Sequence, residues 1–340
     1  MSDCRFFHVE AGKGLKRLAG LEDALSARQL GGYVWMDLRD PTRQELEAVA
    51  GPLGIHPLAV EDCLDDQQIP KVEDYPGHTF VLFNRFRYRD EELVVEEVDF
   101  LLGKDFLVTV SSHDGSDRDA LDKAEALARA ESGTVEKGPD FLLHVILDET
   151  VDSKLAAIEA IEEGIEAAEE ELLRDSIDFR LEVLVRLRRS LLLLRKSLFH
   201  EREILVKICR RDSPYITEPA IYHFRDIYDH LNKYYELSEM NRDILTSLME
   251  IHLSLTNNRM TMAANRTNGS VRRLTLITTV FMPLTLLSGI GGMSEWSMMT
   301  GPANWRLAYP LFLLGLAAIG GASYYLLRWV ERRDLERPSP

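Results

Sequence analysis

The chain has 340 residues, 28% of them charged, and a formal net charge of −16. Acidity of that size argues against nucleic acid as a partner and suits either a solvated surface or divalent cations. The cysteines Cys4, Cys63 and Cys209 fit neither a disulfide framework nor a metal-ligand spacing, which suits a reducing cytoplasm, and the first residues lack the segments of a cleaved signal peptide.

Residues 1–138 predict a cytosolic α/β domain. Tyr33–Leu38 reads as a short strand ending at a turn. Thr42-Arg-Gln-Glu45 predicts a capping box opening a helix that runs to Leu53. Gly54 to Pro57 breaks that helix, and Pro57 suits the first turn of another through Leu64. His78–Arg87 and Leu93–Leu102 read as strands around an acidic turn at Asp90–Glu92, and Asp105–Ser111 completes an antiparallel meander. A helix is expected over Asp117–Glu131.

After Gly138-Pro139 the apolar period becomes 3.6, predicting an antiparallel helical pair over 139–218. Val151, Leu155, Ile158, Ile161, Ile165, Ala168 and Leu172 form one stripe, opposite an acidic run from Glu159 to Glu171. Leu184, Leu187, Leu191, Leu194 and Leu198 form the next, interleaved with Arg186, Arg188, Arg189, Arg195 and Lys196. Facing charges between the helices, or two solvated faces, account equally for this pattern. Pro219 opens a long stalk helix over 219–273, with apolar positions at Leu231, Tyr234, Leu237, Leu248, Ile251 and Leu255. Continued to a kink at Pro283 it is about 60 residues or ~90 Å long, and its stripe needs burial, most simply against copies of itself. His252 and the acidic helix read as solvated surface.

The last quarter differs from everything before it. Two charge-free apolar runs, Leu274–Gly292 and Tyr309–Leu327, are each about 19 residues long and sufficient to span ~30 Å of hydrocarbon, which predicts transmembrane helices over 274–292 and 307–328. A loop over 293–306 separates them, and a basic tail, 329–340, follows. Arg266, Arg272 and Arg273 precede the first run, and Arg328, Arg332, Arg333 and Arg337 follow the second, which places both termini in the cytoplasm. An apolar helix entering a membrane from a long rod points to an oligomeric bundle around an axis, the geometry of a pore. No nucleophile–base arrangement occurs, and Gly289-Ile-Gly-Gly292 lies inside the apolar run with no strand before it, so neither an enzyme nor a nucleotide site is expected.

Phe281-Met-Pro-Leu-Thr-Leu-Leu-Ser-Gly-Ile-Gly-Gly-Met-Ser294 resembles the first transmembrane helix of the CorA family of divalent-cation channels, with its ZntB branch. Thr267–Thr275, Tyr222–His230, Trp35–Leu38, His56–Asp62, Pro70–Glu73 and Phe106–Thr109 look like the same family in the same order. The resemblance implies an α+β membrane protein: a homopentamer in a bacterial-type cytoplasmic membrane, with a cytosolic α/β domain, a long stalk continuing into a pore-lining helix, and an outer ring of second helices. It also implies passage of hydrated Mg2+, Co2+, Ni2+ or Zn2+, gated by cytosolic cations. No covalent cofactor is expected; divalent cations enter as substrate and as candidate regulator. A ZntB-like zinc route and a non-conducting membrane scaffold are the alternatives.

The family's Gly-Met-Asn signature departs here to Gly292-Met293-Ser294, followed by Glu295. Serine offers an acceptor on a shorter side chain, while a Glu295 ring concentrates cations. Helical spacing back from Gly292 places Ser288, Gly289, Thr285, Met282, Thr278, Leu274 and Asn268 on one face. Small and hydroxylated residues also serve ordinary helix packing, but the resemblance makes this face pore-lining. His223, Asp226 and His230 share a helix face, where they suit a transition metal or pairing between helices; the resemblance makes Asp226 a candidate regulatory ligand, with no partner acid placed by motif.

Overall fold

The computed structural model describes residues 3–65, 68–89, 92–111, 119–174, 179–292, 301 and 304–335. It divides into two compact units, Met1–His252 and Leu253–Pro340. The first unit is built on a seven-stranded sheet of β1 (Asp3–Glu10), β2 (Gly14–Leu18), β3 (Tyr33–Arg39), β4 (Val72–Tyr75), β5 (His78–Arg89), β6 (Glu92–Gly103) and β7 (Phe106–Ser111). Their order is β2-β1-β3-β7-β6-β5-β4, antiparallel throughout except at β3–β7. The expected meander β5-β6-β7 is therefore one half of the sheet. The other half begins with a β1–β2 hairpin that the sequence reading omits, although Arg5-Phe-Phe-His-Val9 and Leu15–Leu18 flank a glycine-bearing turn. The acidic turn at Asp90 and Glu91 lies outside the described residues.

Side chains alternate across a strand, so Val34, Met36 and Leu38 of β3 point to one face and Tyr33, Trp35 and Asp37 to the other. The first face is buried beneath α1 (Leu21–Arg28), α2 (Arg43–Leu53) and α3 (Pro57–Asp62), which contribute Ala24, Leu46, Val49, Ala59 and Val60. Capping starts α2: the Glu45 N–H donates to Thr42 Oγ1 at 3.3 Å, and the Thr42 N–H donates to Glu45 Oε2 at 2.9 Å. Such a cap contributes about 1 kcal/mol. Gly54 ends the helix at φ 71°, left-handed backbone that a side chain would strain. The α3 helix ends at Asp62, short of the expected Leu64, because Cys63 and Leu64 already turn.

On the opposite face lie α4 (Asp119–Ala130), α5 (Ser132–Val135) and α6 (Pro139–Arg174). Here Trp35 stacks on Phe7, with ring centroids 4.8 Å apart, and Trp35 Nε1 donates to Thr109 Oγ1 at 3.1 Å. Thr109 in turn donates to Asp37 Oδ1 at 2.9 Å. Asp37 is 1% exposed, and burial pushes its pKa up to about 6 against the pull of Arg39.

The α6 stripe is buried as a stripe with one correction: Lys154 is buried completely, while Leu155 is only half-buried. The amine finds partners the leucine does not need. Its Nζ lies 3.3 Å from Glu201 Oε1 of α7 (Leu181–Cys209) and donates to the carbonyls of Asn84, at 2.5 Å, and Thr150, at 3.3 Å. Gly164 brings α6 close to α7, since a Cβ there would lie 2.8 Å from Leu187 Cδ2. The acidic run of α6 and Arg186, Arg188 and Arg189 of α7 are exposed.

The long α8 spans Glu218–Gly291 and stays helical through Pro283. Leu231, Tyr234 and Leu248 are buried within the chain, while Leu237 and Leu255 are half-buried and Ile251 is exposed, so the chain itself covers only part of the stripe. Arg195 of α7 pairs with Glu239, and Arg202 donates to Asn232 at 2.6 Å. His252, expected as solvated, is half-buried with its ring 5.6 Å from Phe179. In the second unit, the membrane part of α8 packs on α9 (Trp305–Leu335). Both helices are long and apolar enough to cross a bilayer. Gly320 faces Leu284, and a Cβ at Gly291 would lie 2.5 Å from Phe312 Cζ. Small residues at these points allow close helix approach where lipid gives no hydrophobic drive.

Candidate ion pathway and metal centre

Opposite the α9 contact, α8 leaves an open face. Asn268, Leu274, Thr278, Met282, Thr285, Ser288 and Gly289 are all exposed in the single chain. Thr278, Met282, Thr285 and Gly289 border an apolar cavity of about 1090 Å³. The hydroxyl of Thr278 donates to the Leu274 carbonyl at 3.0 Å, and that of Thr285 to the Phe281 carbonyl at 2.8 Å. Each proton is thus committed to its own helix, leaving oxygen lone pairs outward as acceptors. Hydroxyl levels of this kind receive hydrogen bonds from the water shell of a cation; the Met282 level between them and the Leu274 level one turn before Thr278 offer only apolar surface. At the helix end the Gly292 N–H bonds the carbonyls of Ser288 and Gly289, at 3.0 and 3.3 Å. Met293, Ser294 and Glu295 lie outside the described residues.

A second constellation sits in the first unit. Asp148 and Asp152, one turn apart on α6, meet His230 of α8, with ligand atoms within 4.8 Å of one another. Burial, then the Asp152 charge, pushes the Asp148 carboxyl up to about 6, against the pull of His230. Tyr234 donates to Asp152 Oδ1 at 3.3 Å. Asp226 is exposed at the rim, close enough to act electrostatically on both His144 and Asp148. His223 turns elsewhere, its ring 4.9 Å from that of His144 and 5.6 Å from Phe141. Burial, then His223, holds His144 down to about 4. Of the stalk triplet, therefore, His230 joins the carboxylates, Asp226 borders them and His223 stands apart. The acids from α6 escape a reading of the stalk alone. Their signal is His144, Asp148 and Asp152 at four-residue spacing, one face of one helix. An imidazole with two carboxylates suits a divalent transition metal; the carboxylates alone suit Mg2+ through its waters.

Residues 31–332 match the family described as CorA-like Mg2+ transporter protein. The chain belongs to that family. It is 31% identical over 311 residues to the cobalt/magnesium transport protein CorA of Thermotoga maritima, covering 90% of this chain and 85% of the relative. It is 30% identical over 286 residues to a putative metal ion transporter of Bacillus subtilis, covering 84% and 85%. The complete CorA magnesium transporter of Methanocaldococcus jannaschii has the same fold, with a TM-score of 0.71 at 24% identity over 97% of both chains. The CorA-like chain is thus a membrane protein of a divalent-cation transporter family and not an enzyme.

Proposed function

We propose that this protein is a homopentameric channel in a cytoplasmic membrane, passing hydrated divalent cations and closed by cytosolic cations. The observation that carries the reading is the open α8 face, on which the Thr278 and Thr285 acceptors alternate with the Leu274 and Met282 levels. Five copies around an axis turn each level into a ring: hydroxyl rings hold a water shell, and apolar rings close the path by dewetting. Exposed Met260, Val271, Leu274 and Phe281 supply apolar surface for that assembly. The names of two relatives pair cobalt with magnesium, which supports the same cargo here.

In this reading 274–292 is the pore-lining span, 293–306 the external loop, and 307–328 the outer span, with both termini cytosolic. Asp148, Asp152 and His230, with Asp226 at the rim, form the regulatory centre, where a bound cation neutralises acids on α6 and α8 and draws those helices together. The imidazole favours a transition metal there, so a zinc-responsive form of the same transporter is the second reading. Ser294, where the family carries Asn, favours a third, a non-conducting membrane scaffold.

The test is dye-reported flux into proteoliposomes with Mg2+, Zn2+, Co2+ and Ni2+. Ser294→Asn is expected to raise Mg2+ uptake and its block by a cobalt-hexammine mimic of hydrated Mg2+. Asp148→Asn with Asp226→Asn is expected to relieve inhibition by internal cations. Background flux for every ion in both wild type and Ser294→Asn, with assembly intact, replaces the channel by the scaffold.

A further inference from the structure

The outer faces of α6 and α7 each carry an exposed stripe, and the two differ in chemistry. On α7, Leu181, Val185, Leu192 and Phe199 are each 43–54% exposed. With Arg188 they recur at three-, four- and seven-residue steps, which is one helix face, and exposed Arg189 and Lys196 flank it. Half-exposed apolar residues in a row mark a surface that meets a partner. On α6, Ala156, Glu159, Glu163, Glu166 and Glu170 recur at three and four residues and are all exposed. Among the described residues, none of Glu163, Glu166, Glu170, Arg188, Arg189 and Lys196 makes an ion pair within the chain.

The two stripes lie on opposite flanks of α8. Going round α7, Leu187 and Glu201 meet α6, Arg195 and Arg202 meet α8, and the apolar stripe comes next. On α6 the acidic stripe continues one turn back to Asp152, which accepts a hydrogen bond from Tyr234 of α8. We infer that the acidic flank of α6 docks on the apolar and basic flank of α7 in a second copy of this chain, head to tail around a ring with α8 towards its axis. The inference rests on the homopentamer reading and says which surfaces close it.

Charge makes each face a partner for the other and a poor partner for itself, since α6 against α6 sets acid on acid. Surface ion pairs add little affinity singly, so burial of the apolar stripe drives the contact and the charges fix orientation and register. Heights decide between a closed ring and an open filament. Rotation about an axis along the helices leaves every residue at its own height, whereas a screw shifts it. Within the chain Lys154 is level with Glu201, and Gly164 with Leu187. Continued along antiparallel helices, these levels set Ala156 beside Phe199, Glu159 beside Lys196, and Glu163 and Glu166 beside Arg189 and Arg188 of the next copy. Opposite charges match with no translation, and the smallest residue of the acidic stripe meets the largest of the apolar one.

Cross-linking of co-expressed full-length chains tests it. One chain carries Glu159→Cys and the other Lys196→Cys, each with Cys4→Ser and Cys209→Ser, and a short bismaleimide is added to the assembled protein in mild detergent. The mixed pair should give a cross-linked dimer, and either variant alone should not. Glu159→Cys with Val185→Cys, about 16 Å further along α7, should not either. Adding Glu163→Lys and Glu166→Lys to the first chain should abolish the product, and adding Arg188→Glu and Arg189→Glu to the second should restore it. Native mass on the same samples separates this contact from the channel reading. A pentamer without the matched product, a product from Glu159→Cys alone, or equal product from the mismatched pair overturns the flank contact and leaves the pentamer standing. A matched product in an oligomer of another size keeps the contact and removes the pentamer, and a monomer removes both.

Discussion

Replacing Lys154 by Met isolates a charge in the middle of the first unit. Lys154 and Glu201 are both 0% exposed and 3.3 Å apart. Burial alone drives the amine's pKa down and the carboxyl's up, so each ion persists because of the other. At an effective dielectric of about 20 their attraction is about 5 kcal/mol. Lys154→Met keeps the apolar stem but strands the carboxylate, whose Oε2 already lacks a partner among the described residues, at an expected cost of about 3–5 kcal/mol, as for a broken buried pair. Lys154→Met/Glu201→Gln removes both charges and still accepts the Asn84 N–H, now held at 3.0 Å. The double variant should therefore be more stable than Lys154→Met alone by about 2 kcal/mol or more. Urea unfolding followed by tryptophan fluorescence reads this directly. With m of about 2 kcal/mol/M, the midpoint of the single variant falls by roughly 1.5–2.5 M and about half returns in the double. A double variant as unstable as the sum of the two single ones refutes the reasoning.

Asp37 supplies a pH test. Its pKa of about 6 exceeds that of the unfolded chain, so the folded state binds the proton more tightly, and stability falls as pH rises from about 4 to 6, by up to about 3 kcal/mol. Asp37→Asn should remove that component; thermal midpoints across the window, compared with wild type, check it, and parallel curves would sink the idea. At the membrane, Gly291→Val drives a methyl group into the Phe312 ring and should cost about 1–3 kcal/mol of helix packing and lower cation uptake, with Phe312→Ala restoring part of it. Uptake by Gly291→Val equal to wild type, at equal assembly, counts against the close α8–α9 contact.

What the sequence makes legible is what is settled locally. The Thr42–Glu45 box announces α2 because donor and acceptor lie three residues apart. The apolar runs announce the spans because charge is absent over a continuous stretch. Lys154 is hidden because period alone prefers Leu155 as the inward residue, and the amine's partners on α7 and β5 lie far away in sequence. Asp148 and Asp152 are hidden for the same reason: their meaning depends on His230 across a helix interface. The open α8 face is visible as a spacing, but its hydroxyl orientation follows only from the carbonyls one turn back.

The β3–β7 seam sets an order of events during synthesis. β1, β2 and β3 are all complete by Arg39, yet the other edge of β3 has no partner until β7 is complete at Ser111. Until then Val34 to Arg39 presents a row of unpaired backbone groups to every neighbouring nascent chain, the surface on which strands of different molecules join. The Trp35–Thr109–Asp37 hydrogen bonds make the late union selective, since a one-residue slip turns the indole away from its hydroxyl and buries it without a partner. A pairing whose hydrogen-bonded side chains lie 72 and 74 residues apart is thereby also one whose register those side chains check.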